Sequence, residues 1–124
     1  MLVHHLAAAT ALSLITSAPA SAQAPAYVIN LSSYAYAPHP IQLRAGLPVT
    51  LTFVNRSNKG HDFTAREFFA SARITAGAAP GGKVRLGPGR TQSLTLIPRA
   101  GTYDVHCSHF LHSQMGMRTR ILVS

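Results

Sequence analysis

The fold class predicted by this sequence is an all-β sandwich with one short helical insertion. Three observations predict it: short runs in which apolar and polar residues alternate, Gly, Pro and Asn punctuation between the runs, and a single stretch with a helix-like pattern. The first strand is read in "YVINLSSY" and the second in "IQLR". In "PVTLTFV", Val49, Leu51 and Phe53 fall on one face. After His61 the pattern changes, and "AREFFASARI", residues 65–74, is the only segment that could carry a helix, closed by the breaker-rich "TAGAAPGG". Four more strands follow in "KVRL", "TQSLTLI", "GTYDVHC" and "MRTRILV". Seven or eight short strands with period-two patterning exclude a helical bundle, and no internal repeat is visible.

A chain of 124 residues with 47% hydrophobic composition suits one domain with a small core. Its first residues, "MLVHHLAAATALSLITSAPASAQ", join an apolar run to the small-x-small pattern Ala20-Ser21-Ala22. Residues 1–22 are therefore expected to be a cleavable signal peptide, cut after Ala22, with residues 23–124 forming the mature domain. The run is too short to span a bilayer of about 30 Å comfortably, so no stable membrane insertion is expected after cleavage. Export points to the periplasm, where the single cysteine, unable to form an intramolecular disulfide, is a liability unless a metal occupies it. Eleven Lys and Arg against three Asp and Glu give a formal charge of +8 and favour anionic partners.

The chemistry concentrates in "VHCSHFLHSQMGM", residues 105–117, in which the only cysteine is followed by two histidines and two methionines. Alternation along "GTYDVHC" places Tyr103, Val105 and Cys107 inward and Asp104 and His106 outward. In "MRTRILV", Met117, Thr119, Ile121 and Val123 share one face, and Arg118 and Arg120 the other. The loop between these strand ends can fold His112 or His109 back over Cys107, and Met117 or Met115 can supply a thioether. Strand parity favours Met117. A thiolate, a thioether and two imidazoles make the donor set of a mononuclear blue copper site, and the missing imidazole is best supplied by His61 in "VNRSNKGHDFTA". Zinc gains little from a thioether, and iron–sulfur clusters need more cysteines. A buried hydrophobic role for Cys107, a turn-capping role for His61 and core packing for either methionine are the structural alternatives. His39, between prolines, reads as structural or exposed.

With "IQLRAGLPVTLTFVN", "GHDF", "AGTYDVHC" and "GMRTRILV" in this order, the sequence resembles the cupredoxins, the blue copper proteins of plastocyanin and azurin type. The resemblance covers nearly all of the mature region. It implies a Greek-key β-sandwich, one copper ion cycling between Cu(I) and Cu(II), and His61, Cys107, His112 and Met117 as its ligands. The chain departs from the pattern in the bulky Phe110 and Leu111 before His112, in the extra donors His109 and Met115, and in Asp62 where relatives often carry asparagine.

The resulting expectation is a monomeric single-electron carrier and not an enzyme, because no substrate pocket can be argued for a cysteine nucleophile. Its expected partner is an acidic redox protein such as a cytochrome or oxidase, with no nucleic acid. By analogy with the family, His112 is the electron port and Phe110 and Leu111 part of an apolar docking patch. The competing expectation is a periplasmic copper protein for storage, delivery or resistance, which the spare donors His109 and Met115 would suit.

Overall fold

The computed structural model describes residues 1–15 and 23–124. The expected cleavage point after Ala22 lies outside the described residues. Residues 1–15 carry no secondary structure, and no helix among the described residues is long and apolar enough to cross a membrane.

Among the described residues, ten strands and one α-helix follow in order: β1 (Ala26–Ser32), β2 (Ala35–Ala37), β3 (Ile41–Leu43), β4 (Val49–Asn55), β5 (His61–Thr64), α1 (Arg66–Ser71), β6 (Arg73–Ala76), β7 (Lys83–Leu86), β8 (Thr91–Ile97), β9 (Gly101–His106) and β10 (Arg118–Val123), with a short 3-10 turn at Pro80–Gly82. They form two five-stranded sheets, ordered β2-β1-β4-β8-β6 and β3-β10-β9-β5-β7. The pairs β1/β4 and β3/β10 are parallel and the others antiparallel. This is the β-sandwich expected from the alternation.

The inward positions of both sheets meet in one core that includes Ile29, Leu31, Leu51, Phe53, Leu94, Leu96 and Ile121. At its centre Phe63 packs against Phe53 at 4.8 Å, edge-on to Tyr36 at 5.5 Å, and toward Phe69 of α1 at 6.1 Å. Each such aromatic side chain contributes about 1.5–3 kcal/mol through burial, with further gain from edge-to-face geometry.

The helical insertion is shorter than expected. It ends at Ser71, Ala72 turns extended, and residues 73–76 become an edge strand on β8, with Arg73 opposite Ile97 and Ile74 opposite Leu96. Sheet pairing overrides a local pattern compatible with helix here. What remains of the helix buries Phe68 and Phe69.

Two features of register position the functional end. The β9/β10 ladder pairs His106 with Arg118, and one step further the Cys107 N–H donates to the Met117 carbonyl at 3.1 Å. Cys107 and Met117 therefore face each other across the mouth of the hairpin, both fully buried. The β5/β9 pairing of Thr64 with His106 brings the start of β5 to the same place.

Candidate metal centre

His61 is delivered by a loop that Asn55 organises from inside. The Asn55 amide donates to the carbonyls of Lys59 at 2.7 Å, Leu86 at 3.2 Å and Gly87 at 3.1 Å. Its oxygen accepts from the Ser57 N–H at 3.0 Å and hydroxyl at 2.8 Å. A buried amide with every donor and acceptor used holds the loop in one conformation. His61 then opens β5 with no exposed surface.

On the opposite wall, the chain between Cys107 and Met117 is a series of tight turns. The His112 N–H donates to His109 O at 3.1 Å, Met115 N–H to Leu111 O at 3.0 Å and Met117 N–H to His112 O at 3.0 Å. Leu111 takes a left-handed backbone conformation, φ 63°, which is unfavourable for a branched residue and turns the chain immediately before His112.

Together these elements make His61, Cys107 and His112 converge, with donor atoms all within 4.8 Å of one another. The two Nδ1 atoms are 3.2 Å apart, and Cys107 Sγ lies 3.4 Å from His112 Nδ1. The Ser33 hydroxyl sits 3.0 Å from His61 Nε2. In the tautomer in which that nitrogen donates to Ser33, Nδ1 presents its lone pair toward the other two groups. Tyr34, in the β1–β2 turn, packs edge-on against His112 at 4.9 Å and His61 at 6.2 Å, while Lys59 Nζ donates to its hydroxyl at 3.1 Å.

Asp62 ties the two walls together. Its backbone N–H points at Cys107 Sγ, 3.5 Å away, and its carboxylate accepts from Thr64 Oγ1 at 2.7 Å, Ser108 N–H at 2.9 Å and Ser108 Oγ at 2.6 Å. Behind it the Tyr36 hydroxyl donates to the Asp62 carbonyl at 2.6 Å. Burial alone would raise the Asp62 carboxyl. The hydrogen bonds from Ser108 and Thr64 outweigh it and hold the group below its ordinary value.

For the other groups burial is the leading cause. It pushes the Cys107 thiol up, against the opposing hydrogen bond from the Asp62 amide. It also lowers both His61 and His112; the neighbouring histidines add to the shift at His61, and His109 and Lys59 add at His112. In the metal-free protein near neutral pH the centre thus holds a protonated thiol and two neutral imidazoles beside an ionised carboxylate.

The structure brings together His61, Cys107 and His112 and buries Met117 at the adjoining strand end, as the parity of the two strands predicts. Met115 is 57% exposed. His109 is more exposed than His112 and lies against Asp62, its Nε2 3.7 Å from Oδ2. His39 and His106 are exposed. Ser33, Tyr34, Asn55 and Ser108 are contributors that sequence reasoning missed. Only Asn55 and Ser57 carried a signal, as an Asn-x-Ser turn.

A thiol, two imidazoles and a thioether are the donor chemistry of a copper site rather than a structural zinc site. A family model described as cupredoxin-like domain matches residues 5–123. No curated protein matches the chain. Among solved structures, the reduced auracyanin from the photosynthetic bacterium Roseiflexus castenholzii is 21% identical with a TM-score of 0.62, over 83% of this chain and 99% of that one. Auracyanin B is 19% identical with a TM-score of 0.58, over 91% of this chain and 95% of that one. The multicopper oxidase from Campylobacter jejuni is 12% identical with a TM-score of 0.63, over 88% of this chain but only 32% of the oxidase. At these identities the solved structures speak to the fold.

Proposed function

The chain belongs to the cupredoxin family, and from the convergence of His61, Cys107 and His112 we propose that it is an exported type 1 copper protein that carries single electrons between redox partners. The observation that carries this reading is the grouping of two imidazole nitrogens and one thiol sulfur within 4.8 Å at a buried strand end, beside a buried methionine. His61, Cys107, His112 and Met117 would hold one copper ion, which supplies a one-electron Cu(I)/Cu(II) couple. The protein's own contribution is a donor set fixed before the metal arrives. Ser33 orients His61, Asp62 and Ser108 lock the cysteine to β5, and the turns of residues 108–116 hold His112 over the thiol.

The surface over His112 suits brief docking. Phe110 is 87% exposed and Leu111 and Met115 about half exposed, forming an apolar patch beside the more buried imidazole. Lys59 at Tyr34, Lys83 at Ser108, Arg85 on the cleft beside His109 and Arg118 opposite His106 lie near the centre and favour an acidic partner such as a cytochrome or oxidase. In this reading the mature protein is a periplasmic monomer that turns over no substrate and binds no nucleic acid.

The test is an optical and paramagnetic resonance spectrum with one equivalent of copper(II). An intense thiolate-to-copper band in the visible is expected, and Cys107→Ser abolishes it. A colourless protein that binds zinc tightly overturns the reading.

A further inference from the structure

Resting on the reading of Cys107 as a copper ligand, we propose that Asp62, Cys107 and His109 form a second, outward-facing donor set through which copper(II) is loaded into the inner site of His61, Cys107 and His112. The side-chain donor atoms of Asp62, Cys107 and His109 lie within 4.8 Å of one another, as those of the inner set do, and Cys107 belongs to both. The outer set opens on a cleft of about 410 Å³ whose lining includes Gly60, His61, Asp62, Arg85, Ser108 and His109. The His109 side chain is 43% exposed and that of Asp62 only 2%, so the pair runs from solvent to interior.

Two details make this arrangement specific. The His109 and His112 rings are stacked, centroids 5.2 Å apart and planes 12° from parallel, so an outer and an inner imidazole stand side by side. Opposite them, a Cβ at position 60 would lie 3.3 Å from His109 Cε1, a crowded contact. Glycine there leaves His109 room over the cleft.

The donor chemistry gives the exchange its direction. The outer set offers carboxylate, imidazole and sulfur, and the inner set replaces the carboxylate with a second imidazole, a donor better matched to copper than a carboxylate. Asp62 and His109 are exchanged for His61 and His112 while the bond to Cys107 persists. The Cys107 thiol releases its proton to solvent when that bond forms, and the metal remains in the +2 state throughout.

The experiment is stopped-flow mixing of the metal-free protein with copper(II) sulfate, following the thiolate-to-copper band. His109→Ala should slow its appearance at least fivefold and leave the final spectrum unchanged, while His39→Ala, which removes an exposed histidine belonging to neither donor set, should leave the rate as it was. Equal rates for wild type and His109→Ala, or equal slowing in both variants, overturn the proposal. As a second measurement, His112→Ala should retain a weaker, shifted thiolate band held by the outer set, and adding His109→Ala should remove it. Persistence of that band in the double variant also overturns it. A wild-type protein that never develops the band overturns the copper reading itself, an outcome distinct from normal colour with unaltered kinetics.

Discussion

Asp62 and Ser108 are joined twice, by the Ser108 N–H at 2.9 Å and by its hydroxyl at 2.6 Å, so a strand that begins at one proposed ligand is clamped to the residue following another. The clamp joins a buried, ionised carboxylate to an exposed serine and lies where relatives often place a neutral asparagine. Hydrogen bonds to a charged acceptor contribute about 1.5–3 kcal/mol each. Asp62→Ala, which removes three acceptor contacts and leaves Ser108 and Thr64 unpaired, should cost about 2–4 kcal/mol in urea unfolding of the metal-free protein.

Asp62→Asn keeps the shape and removes the charge. A negative charge a few ångströms from the cysteine sulfur favours the more positive oxidation state, so its removal should raise the copper reduction potential by on the order of 100 mV. Voltammetry checks the sign. An unchanged or lower potential would mean that the carboxylate field is compensated, with Lys83, bonded to Ser108 Oγ at 2.7 Å, the nearest compensator.

The two histidines and the two methionines of the 107–117 loop should separate spectroscopically. His112→Ala should destroy or remodel the equilibrium copper spectrum and His109→Ala should leave it nearly intact. Met117→Leu, which removes a weak axial donor that favours copper(II), should raise the potential, and Met115→Leu should shift it less. A reversed ranking in either pair transfers the role to the other residue.

Copper(II) affinity should rise with pH with a defined slope. His61 and His112 sit below their ordinary value of 6.5 and so are already neutral at pH 7, whereas Cys107 sits above its ordinary 9.0 and must lose a proton. One proton released per ion gives about a tenfold gain in affinity per pH unit between pH 7 and 8.5. Competition titrations against a chelator measure it, and a flat profile over that window would exclude the thiol as a ligand.

Metal-free stability should change in the same direction. A histidine whose folded value is lowered contributes stability that is complete above 6.5 and is lost as pH falls through the folded value. Asp62 behaves alike below its ordinary 3.8. The urea midpoint of the metal-free protein should therefore fall between pH 7 and pH 5, and His61→Asn should flatten that fall.

The parts of the fold legible in the sequence are those where one face is buried and the other wet. Parity places Cys107 and Met117 inward because β9 alternates cleanly and Met117 shares the parity of the buried Ile121 and Val123 of β10. β5 carries no strand signature in the sequence, since "HDFT" is buried at all four positions and has no alternation to read. Only the first half of β6, Arg73 and Ile74, reads as part of the helical stretch, and the strand leaves no clear mark because none of its residues is fully buried and its partner β8 is distant in sequence. The proposed ligands announce themselves by residue type. Ser33, Tyr34 and Ser108 act only through where the sheets bring them, and nothing in their local sequence marks them.

The last prediction concerns the partner. Arg118 and Arg120 share the outward face of the last strand, but Arg120 is paired with Asp104 at 3.4 Å, both largely exposed, so its charge is offset locally. The cations beside the centre are instead Lys59 over Tyr34, Lys83 at Ser108, Arg85 on the cleft and Arg118 next to Met117. Exposed charges act over about 8–10 Å at physiological ionic strength, so they steer the approach of a partner while the apolar patch of Phe110, Leu111 and Met115 makes the contact. Electron transfer with an acidic cytochrome should slow as salt rises, and at low salt it should exceed that with a basic cytochrome of similar potential. Reversing Lys59 and Arg85 to glutamate should cut the low-salt rate by about tenfold and the high-salt rate much less, as expected when charge acts on the association step. Arg120→Glu should matter less, because it lies among charges that already cancel. Stopped-flow rates across a salt series decide it: a salt-insensitive rate, or faster transfer to the basic cytochrome, would leave the +8 charge without a role in recognition.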